Sequence, residues 1–402
     1  MRRALAVLLL AALAVLAAGL TGCGGRFALP TELRILGGAG DSTYMMQATW
    51  TGMRDIQDIL LTQGSGTQLF LLFNHDPGHL RTDTLSRGEV LAYARMRPKG
   101  PQLPLPGITF NGLFSPWALC VGGDGMGAAV NRIFVLDQGD TNLARQQPPG
   151  DTISSARWPR RITHPGLYWH LREYGLLGGD AISAFSDTSM AFVNGVAADA
   201  QGRVYVSGAV IAWVRDPQVA VYTRSFLWRV NRYARGSKYP GIPDPYVIDG
   251  DWHRDTTWLV GEGSGIGTVA DPRGIYWGGA GGGALYTADL AKNWVQKLSD
   301  QVPSTGYFMI DGKTTPDQLA LADPADVAGD EQGFIYIADP GNQRVLRYDA
   351  AGNYIQSINV DKDASGRLLV QLVNPVTVAA DDSLVFVGDA GLGEVIRYKR
   401  RK

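Results

Sequence analysis

Residues 324–358, PADVAGDEQGFIYIADPGNQRVLRYDAAGNYIQSI, constrain the fold more than any other stretch of the 402-residue chain. Asp326-Val327-Ala328 runs into a turn at Asp330-Glu331-Gln332-Gly333, and Phe334 to Ala338 follows, rich in β-branched and aromatic residues. Asp339-Pro340-Gly341-Asn342 supplies a second tight turn, because Pro fixes one φ and Gly or Asn tolerates a positive one. Arg344 to Tyr348 alternates polar and apolar residues as a half-buried strand does, and Asp349 to Gly352 turns the chain into Asn353–Ile358. Four short strands joined by tight turns form one antiparallel meander. Such a meander cannot bury both of its faces, so it requires neighbours of its own kind.

The chain supplies them. Asn374 to Asp381 leads into Leu384–Asp389, with Val, Ala and Asp in register with Val327, Ala328 and Asp330. Gly195–Gly202 leads into Val204-Tyr205-Val206, and Gly267–Gly274 into Ile275-Tyr276-Trp277. Pro116–Val121 precedes Arg132–Asp137, and a weaker copy, Asp58–Leu61, precedes Leu69–Phe73. Six such units, all of strands, predict an all-β six-bladed β-propeller of four-stranded antiparallel blades. The pattern resembles NHL-repeat propellers, whose units read P-x-G-V-A-V-D and then I-Y-V-A-D-x-x-N-x-R-V. The resemblance is close over Pro324–Tyr348, fair over Asn374–Tyr398 and loose elsewhere. In the family pattern Asp339, Asn342 and Arg344 hold the D-x-x-N-x-R positions; Asp and Asn are expected to fix the turn and Arg to pair across blades.

The ends of the chain bear on closure. The last unit stops at Glu394–Tyr398 without a fourth strand, and Glu32–Gly38 has the look of the missing one, as do Tyr168–Gly175 and Thr257–Gly261 in their own units. The ring is therefore expected to close by an N-terminal strand completing the last blade, which removes exposed sheet edges. Upstream, Arg2 and Arg3 precede the uncharged run Ala4–Leu20 and then Thr21-Gly22-Cys23, a basic, apolar and small-residue order that marks a secretory signal. With cysteine after the small pair, it resembles a bacterial lipobox. That resemblance implies cleavage after residue 22, a lipidated Cys23, a tether over 23–31, one propeller over 32–402, and a place in the cell envelope (outer membrane or cell surface) with the membrane as a partner.

A formal net charge of −1 gives no basic field for a nucleic acid, and a monomer is expected. With Cys23 acylated no intrachain disulfide can form; Cys120, equivalent to Ala328, reads as a small buried hydrophobe. The units differ in their loops. Asn74–Arg87, 138–158 and Ser207–Thr223 lengthen the connection between second and third strands in the first three units, raising one face there. Arg157, Trp158, Trp213, Arg215 and Tyr222 on that rim are the candidate binding residues for a protein or glycan ligand. A further insertion, Ala234–Asp255, carries Tyr239, Tyr246, Trp252 and His253 and is expected on the opposite face.

Reactive constellations are few. His75-Asp76-Pro77-Gly78-His79, with Asp83 nearby, holds zinc-type ligands but occupies the turn that reads Asp339-Pro340-Gly341-Asn342 elsewhere, and is read as a turn. Gly261–Gly267 has the glycines of a dinucleotide loop but no helix after it, so it reads as an inter-blade linker. At the channel-lining position, Asp58 and Asp326 are the candidate metal ligands, with Thr377 between them in ring order and Ala118, Gly195 and Thr268 at the remaining places. Calcium is the ion such carboxylates suit, but Ala118, Gly195 and Thr268 are poor ligands, and a buried water network is the expected occupant. Six-bladed lactonases resemble this architecture and hold a metal at the channel mouth. The amidating-lyase branch also resembles it but needs channel histidines and a metal, whereas His164, His170 and His253 fall in insertions or outer strands. Two readings follow: an envelope lipoprotein with a binding propeller, and a calcium- or zinc-dependent hydrolase or lyase working at the channel mouth.

Overall fold

Every strand of the computed structural model belongs to, or decorates, one of six antiparallel blades set around a central channel. The structure describes residues 44–400 except 54, 63–67, 75–87, 95–103, 114, 124–130, 139–168, 188, 191, 216–221, 237–246, 249–251, 279–282, 302–303 and 363–364; for 192, 211–215, 222–225 and 247–248 it describes the backbone alone. From channel to rim, blade 2 consists of Pro116–Gly122, Arg132–Asp137, His170–Gly175 and Gly178–Asp187. Blade 3 is Phe192–Ala198, Val204–Arg215, Tyr222–Arg235 and Trp252–Val260. Blade 4 is Pro272–Gly278, Ala284–Asp289, Trp294–Leu298 and Gly306–Ile310, and blade 5 is Asp326–Gly329, Ile335–Asp339, Arg344–Tyr348 and Tyr354–Ile358. In blade 1, Ile56–Leu61, Gln68–Asn74 and Gly88–Ala94 form the ladder, and the Leu105 N–H meets its outer side at the Ala92 carbonyl.

Blade 6 joins the two ends of the chain. Pro375–Ala380, Leu384–Asp389 and Glu394–Arg400 are completed by Tyr44–Thr51, whose Tyr44 faces Arg400 and Thr51 faces Glu394. Closure by an N-terminal strand is thus observed, but with a different segment from the one expected. Glu32–Gly38 lies outside the described residues, and a register shift between Met46 and Ala48 disrupts the alternation by which Tyr44–Thr51 would have been recognised. Tyr44 is buried between blades 5 and 6, its hydroxyl 3.0 Å from that of Tyr336, which donates to Asp330.

Six apolar clusters hold the ring, one in each gap between neighbouring blades. They arise because each strand alternates its side chains, so both faces of a blade carry Val, Ile, Leu and aromatic residues. Burial of one such side chain is worth about 1.5–3 kcal/mol, and the closed ring leaves no blade face uncovered. Polar clasps repeat with the same period. Asp137, Asp289, Asp339 and Asp389 close the second strands of their blades and accept N–H groups of the chain approaching the inner strand: Ser115, Ala270 and Asp271, Ala322, and Val373 and Asn374. In blade 5, Asn342 Nδ2 and Arg344 Nε also donate to Asp339, at 2.9 and 2.7 Å, and Arg344 reaches on to Asp317 and the Leu319 carbonyl in the connection from blade 4.

Two expected strand assignments change. His170–Gly175 is the third strand of blade 2, with Gly178–Asp187 outside it. In blade 4 the inner strand is Pro272–Gly278, with Ala284–Asp289 as its partner. Val269-Ala270-Asp271 copies the repeat in sequence, but there it belongs to the linker: the Val269 N–H bonds the Gly261 carbonyl and Val269 O accepts from Gly263. The expectation that Gly261–Gly267 is an inter-blade linker fits that geometry.

Candidate functional site

The six inner strands pass close to one another around the channel, each touching the next and Pro375–Ala380 touching Ile56–Leu61. At the start of these strands, just past a bulge in blades 1, 2, 3 and 6 and within one in blade 4, the equivalent residues are Asp58, Ala118, Gly195, Gly274, Asp326 and Thr377. Gly274 thus takes the place expected of Thr268, which lies in the linker ahead of the strand. Space dictates the glycines: a Cβ on Gly274 would stand 2.4 Å from Asp326 Oδ1, and one on Gly195 2.4 Å from the Arg273 carbonyl oxygen.

The opposite arc is polar. The Thr377 hydroxyl lies 3.2 Å from Asp58 Oδ1 and 2.9 Å from Asp326 Oδ2, bringing together side chains of blades 6, 1 and 5. Backbone donors complete the set. Asp58 accepts from its neighbour Ile59 and from Leu119 of blade 2, both at 2.7 Å. Asp326 accepts from Val327 at 2.8 Å and from Val378 of blade 6 at 3.0 Å, and the Ile59 N–H also reaches Thr377 Oγ1 at 3.2 Å. Burial, and then the charge of Asp326, pushes the Asp58 carboxyl well above the usual range despite these donors. Burial raises Asp326 as well, to about 6. Neighbouring Cys120 is a free, buried thiol whose pKa goes up through burial and the nearby Asp58, as its reading as a small hydrophobe requires.

Asp58 and Asp326, half-buried residues, line a channel cavity of about 1000 Å³ walled by all six inner strands. It runs from Asn194 and Arg273, at the starts of the strands, to Gly123, Ala200 and Glu331 on the turns that follow them. Trp117, Tyr276 and Trp277 contribute half-buried aromatic surface. Trp277 stacks on Tyr205 with ring centres 5.0 Å apart, and Arg203, which is paired with Asp199, lies 5.8 Å from the Trp277 ring.

Comparison with known proteins comes next to this geometry. No protein-family model matches the chain. Over 128 residues, 31% of its length, it is 28% identical to the probable peptidyl-alpha-hydroxyglycine alpha-amidating lyase pgal-1 of Caenorhabditis elegans. The match spans 33% of that relative's length. Among solved structures, the chain is similar to a streptogramin B lyase, with a TM-score of 0.43, 10% identity and coverage of 89% of this chain and 97% of that one. A virginiamycin B lyase from Staphylococcus aureus gives a TM-score of 0.41, 12% identity and coverage of 89% and 99%.

Of the residues singled out in the sequence, Asp58 and Asp326 are brought together, with Thr377 as their bridge. The two carboxyls fit a cation poorly. Their oxygens already accept N–H and O–H groups, and among the described residues no further His, Cys, Asp or Glu joins them in a metal-binding group. The described histidines stand away from the channel: His170 is buried in the third strand of blade 2, and His253 is on the outermost strand of blade 3. Cys23, His75, His79, Asp83, Arg157, Trp158 and His164 lie outside the described residues.

Trp213, Arg215 and Tyr222 do not sit on a loop. Val204–Arg215 and Tyr222–Arg235 pair continuously, Trp213 opposite Arg224 and Arg215 opposite Tyr222. The neighbouring strands of blade 3 stop pairing at Ala209 and Val230, so residues 210–215 and 222–229 pair only with each other, a two-stranded ribbon whose base still packs into the body through Val210 and Trp228. The Ala234–Asp255 insertion turns back on the body: Val247 and Ile248 pair with Asp187 and Ser186 of blade 2, and Trp252 is buried near Phe134 and Phe185. The missed partnership is that of Asp58 with Leu119 and Thr377, which only the ring geometry brings together.

Proposed function

We propose that this protein is a lipid-anchored envelope protein whose six-bladed propeller binds a protein or glycan ligand through the raised side of its first three blades. The observation that carries this reading is the ribbon of blade 3, in which the strands that bear Trp213, Arg215 and Tyr222 continue past the pairing of both neighbouring strands. A two-stranded ribbon is costly to leave without contacts, and tryptophan, tyrosine and arginine dominate binding surfaces. Arg157 and Trp158 belong to the same rim by sequence. Anchorage rests on the lipobox-like Thr21-Gly22-Cys23, which NHL-type repeats follow. The test is retention of isolated envelope polysaccharide and envelope protein fractions by the immobilised full chain. Combined Trp213→Ala, Arg215→Ala and Tyr222→Ala should lower retention at least tenfold with the fold intact, and equal retention would overturn the reading. Incorporation of labelled palmitate, lost on Cys23→Ala, tests the anchor.

A second reading, a metal-dependent hydrolase or lyase at the channel mouth, is favoured by the 128-residue likeness to an amidating lyase. Calcium there would draw on Asp58 and Asp326, and zinc on ligands outside the described residues. The hydrogen bonds already made by the two carboxyls count against the first case.

A further inference from the structure

We infer that the edge of blade 6 at Tyr44, together with the hairpin beside it, is a docking face for an anionic phospholipid surface. Tyr44 is buried, and its hydroxyl contact with Tyr336 fixes the start of the outer strand of blade 6. In the ladder Lys399 stands opposite Met45 and Arg400 opposite Tyr44, and both cations are exposed. Arg401 and Lys402 extend this run of like charge in sequence. Against the same strand lies a hairpin of Val360–Lys362 and Leu368–Gln371, whose Asp361 Oδ2 accepts from the Met46 N–H at 2.7 Å. Val370 and Leu372 tuck into the gap between blades 5 and 6, while Lys362, Arg367, Leu368 and Leu369 are exposed.

The mixture of side chains suits a bilayer interface. Met45, Leu368 and Leu369 are 40–44% exposed among the cations. Cations draw a protein to anionic headgroups, and apolar side chains between them enter the boundary beneath. Acidic groups do not cancel the charge. Asp361 is buried and occupied by the N–H groups of Met46 and Lys362. Asp382 is exposed on the turn whose Ser383 carbonyl accepts from the Arg400 N–H, and it opposes several cations; Asp363, like Arg401 and Lys402, lies outside the described residues. The position matters as much. The inference rests on the lipid-anchored reading for its setting: the segment between Cys23 and Tyr44 spans about 75 Å at most when fully extended. An acyl anchor holds the chain at a bilayer but does not orient the propeller, whereas a charged face does. Blade 3, which carries the ribbon, stands across the channel from blade 6, so docking by this edge turns the ribbon away from the bilayer.

The experiment uses residues 23–402 with Cys23→Ala, a chain that carries no acyl group and keeps the compact unit Gly40–Lys402 whole. It is sedimented with vesicles of phosphatidylcholine alone and of phosphatidylcholine with phosphatidylglycerol, at low and high salt. Binding should be at least about tenfold stronger to the anionic vesicles and should weaken as salt rises. Each cation brought to an anionic surface strengthens binding about fivefold, so Lys399→Glu and Arg400→Glu should each lower it by at least that factor. Lys313→Glu, an exposed reversal of charge on the connection between blades 4 and 5, should leave it within about twofold. Equal binding to the two kinds of vesicle, or an equal loss with Lys313→Glu, would overturn the docking face. Because no acyl group is present, the two readings fail separately. Vesicle binding without palmitate incorporation in the wild type would remove the anchor and keep the face; the reverse would remove the face alone.

Discussion

One ring position reads differently on the two sides of the channel. Over blades 2, 3 and 4 it holds Ala118, Gly195 and Gly274, and at the two glycines the neighbouring atoms close in until no Cβ fits. Over blades 5, 6 and 1 it holds Asp326, Thr377 and Asp58, and the strands are joined instead by hydrogen bonds between side chains and neighbouring backbones. The same strand geometry is thus closed by close contact on one arc and by a shared polar bridge on the other. At this ring position, only the second arc carries polar side chains.

The largest expected effect comes from breaking the small arc. Gly274→Val places a Cβ against Asp326 Oδ1 and the Asp326 Cα, at 2.4 and 2.6 Å, and the backbone must shift to accept it. We expect a loss of about 3 kcal/mol, at the upper end of overpacking costs, read from urea unfolding. Next comes Thr377→Val, which keeps the shape but removes the bridging hydroxyl; a loss of about 1–2 kcal/mol is expected at pH 7, while Thr377→Ser should stay within about 0.5 kcal/mol. If the two substitutions cost the same, the hydroxyl is not what joins the polar arc. The smallest effect belongs to Cys120, on the inner strand of blade 2. Cys120→Ala should cost about 1 kcal/mol or less, and the native thiol should resist alkylation at pH 8 while the unfolded chain reacts freely. Rapid labelling of the native protein would mean that the thiol is neither buried nor held neutral.

How much of this could be read from sequence depended on how local the cause was. Blade 5 was legible almost residue by residue, because its turns, its Asp339-Asn342-Arg344 clasp and its alternation all act within one meander. Blade 4 was misregistered, since Val269-Ala270-Asp271 satisfies the repeat while the chain uses it as a linker. Period-two alternation says that His170–Gly175 is a strand but not which place it takes in the blade. The ribbon of blade 3 reads as a loop in sequence because Asp216-Pro217 interrupts the strand pattern, and its cross-strand pairs, Trp213 with Arg224 and Arg215 with Tyr222, lie on either side of that interruption. Asp58 and Asp326 were found as candidates; their bridge depends on contacts more than 300 and about 50 residues apart along the chain, which no local pattern encodes.

The most direct test of this account asks what the channel carboxyls hold. Thermal unfolding of the full chain would be followed in chelator and then with calcium, zinc or manganese, since an ion that binds only the folded state must raise the midpoint. A midpoint unchanged by each metal is the result expected of a pair whose oxygens are committed to backbone donors and the Thr377 hydroxyl. A rise of several degrees with one metal, abolished by Asp58→Asn or Asp326→Asn, would contradict it and would favour the channel-mouth enzyme.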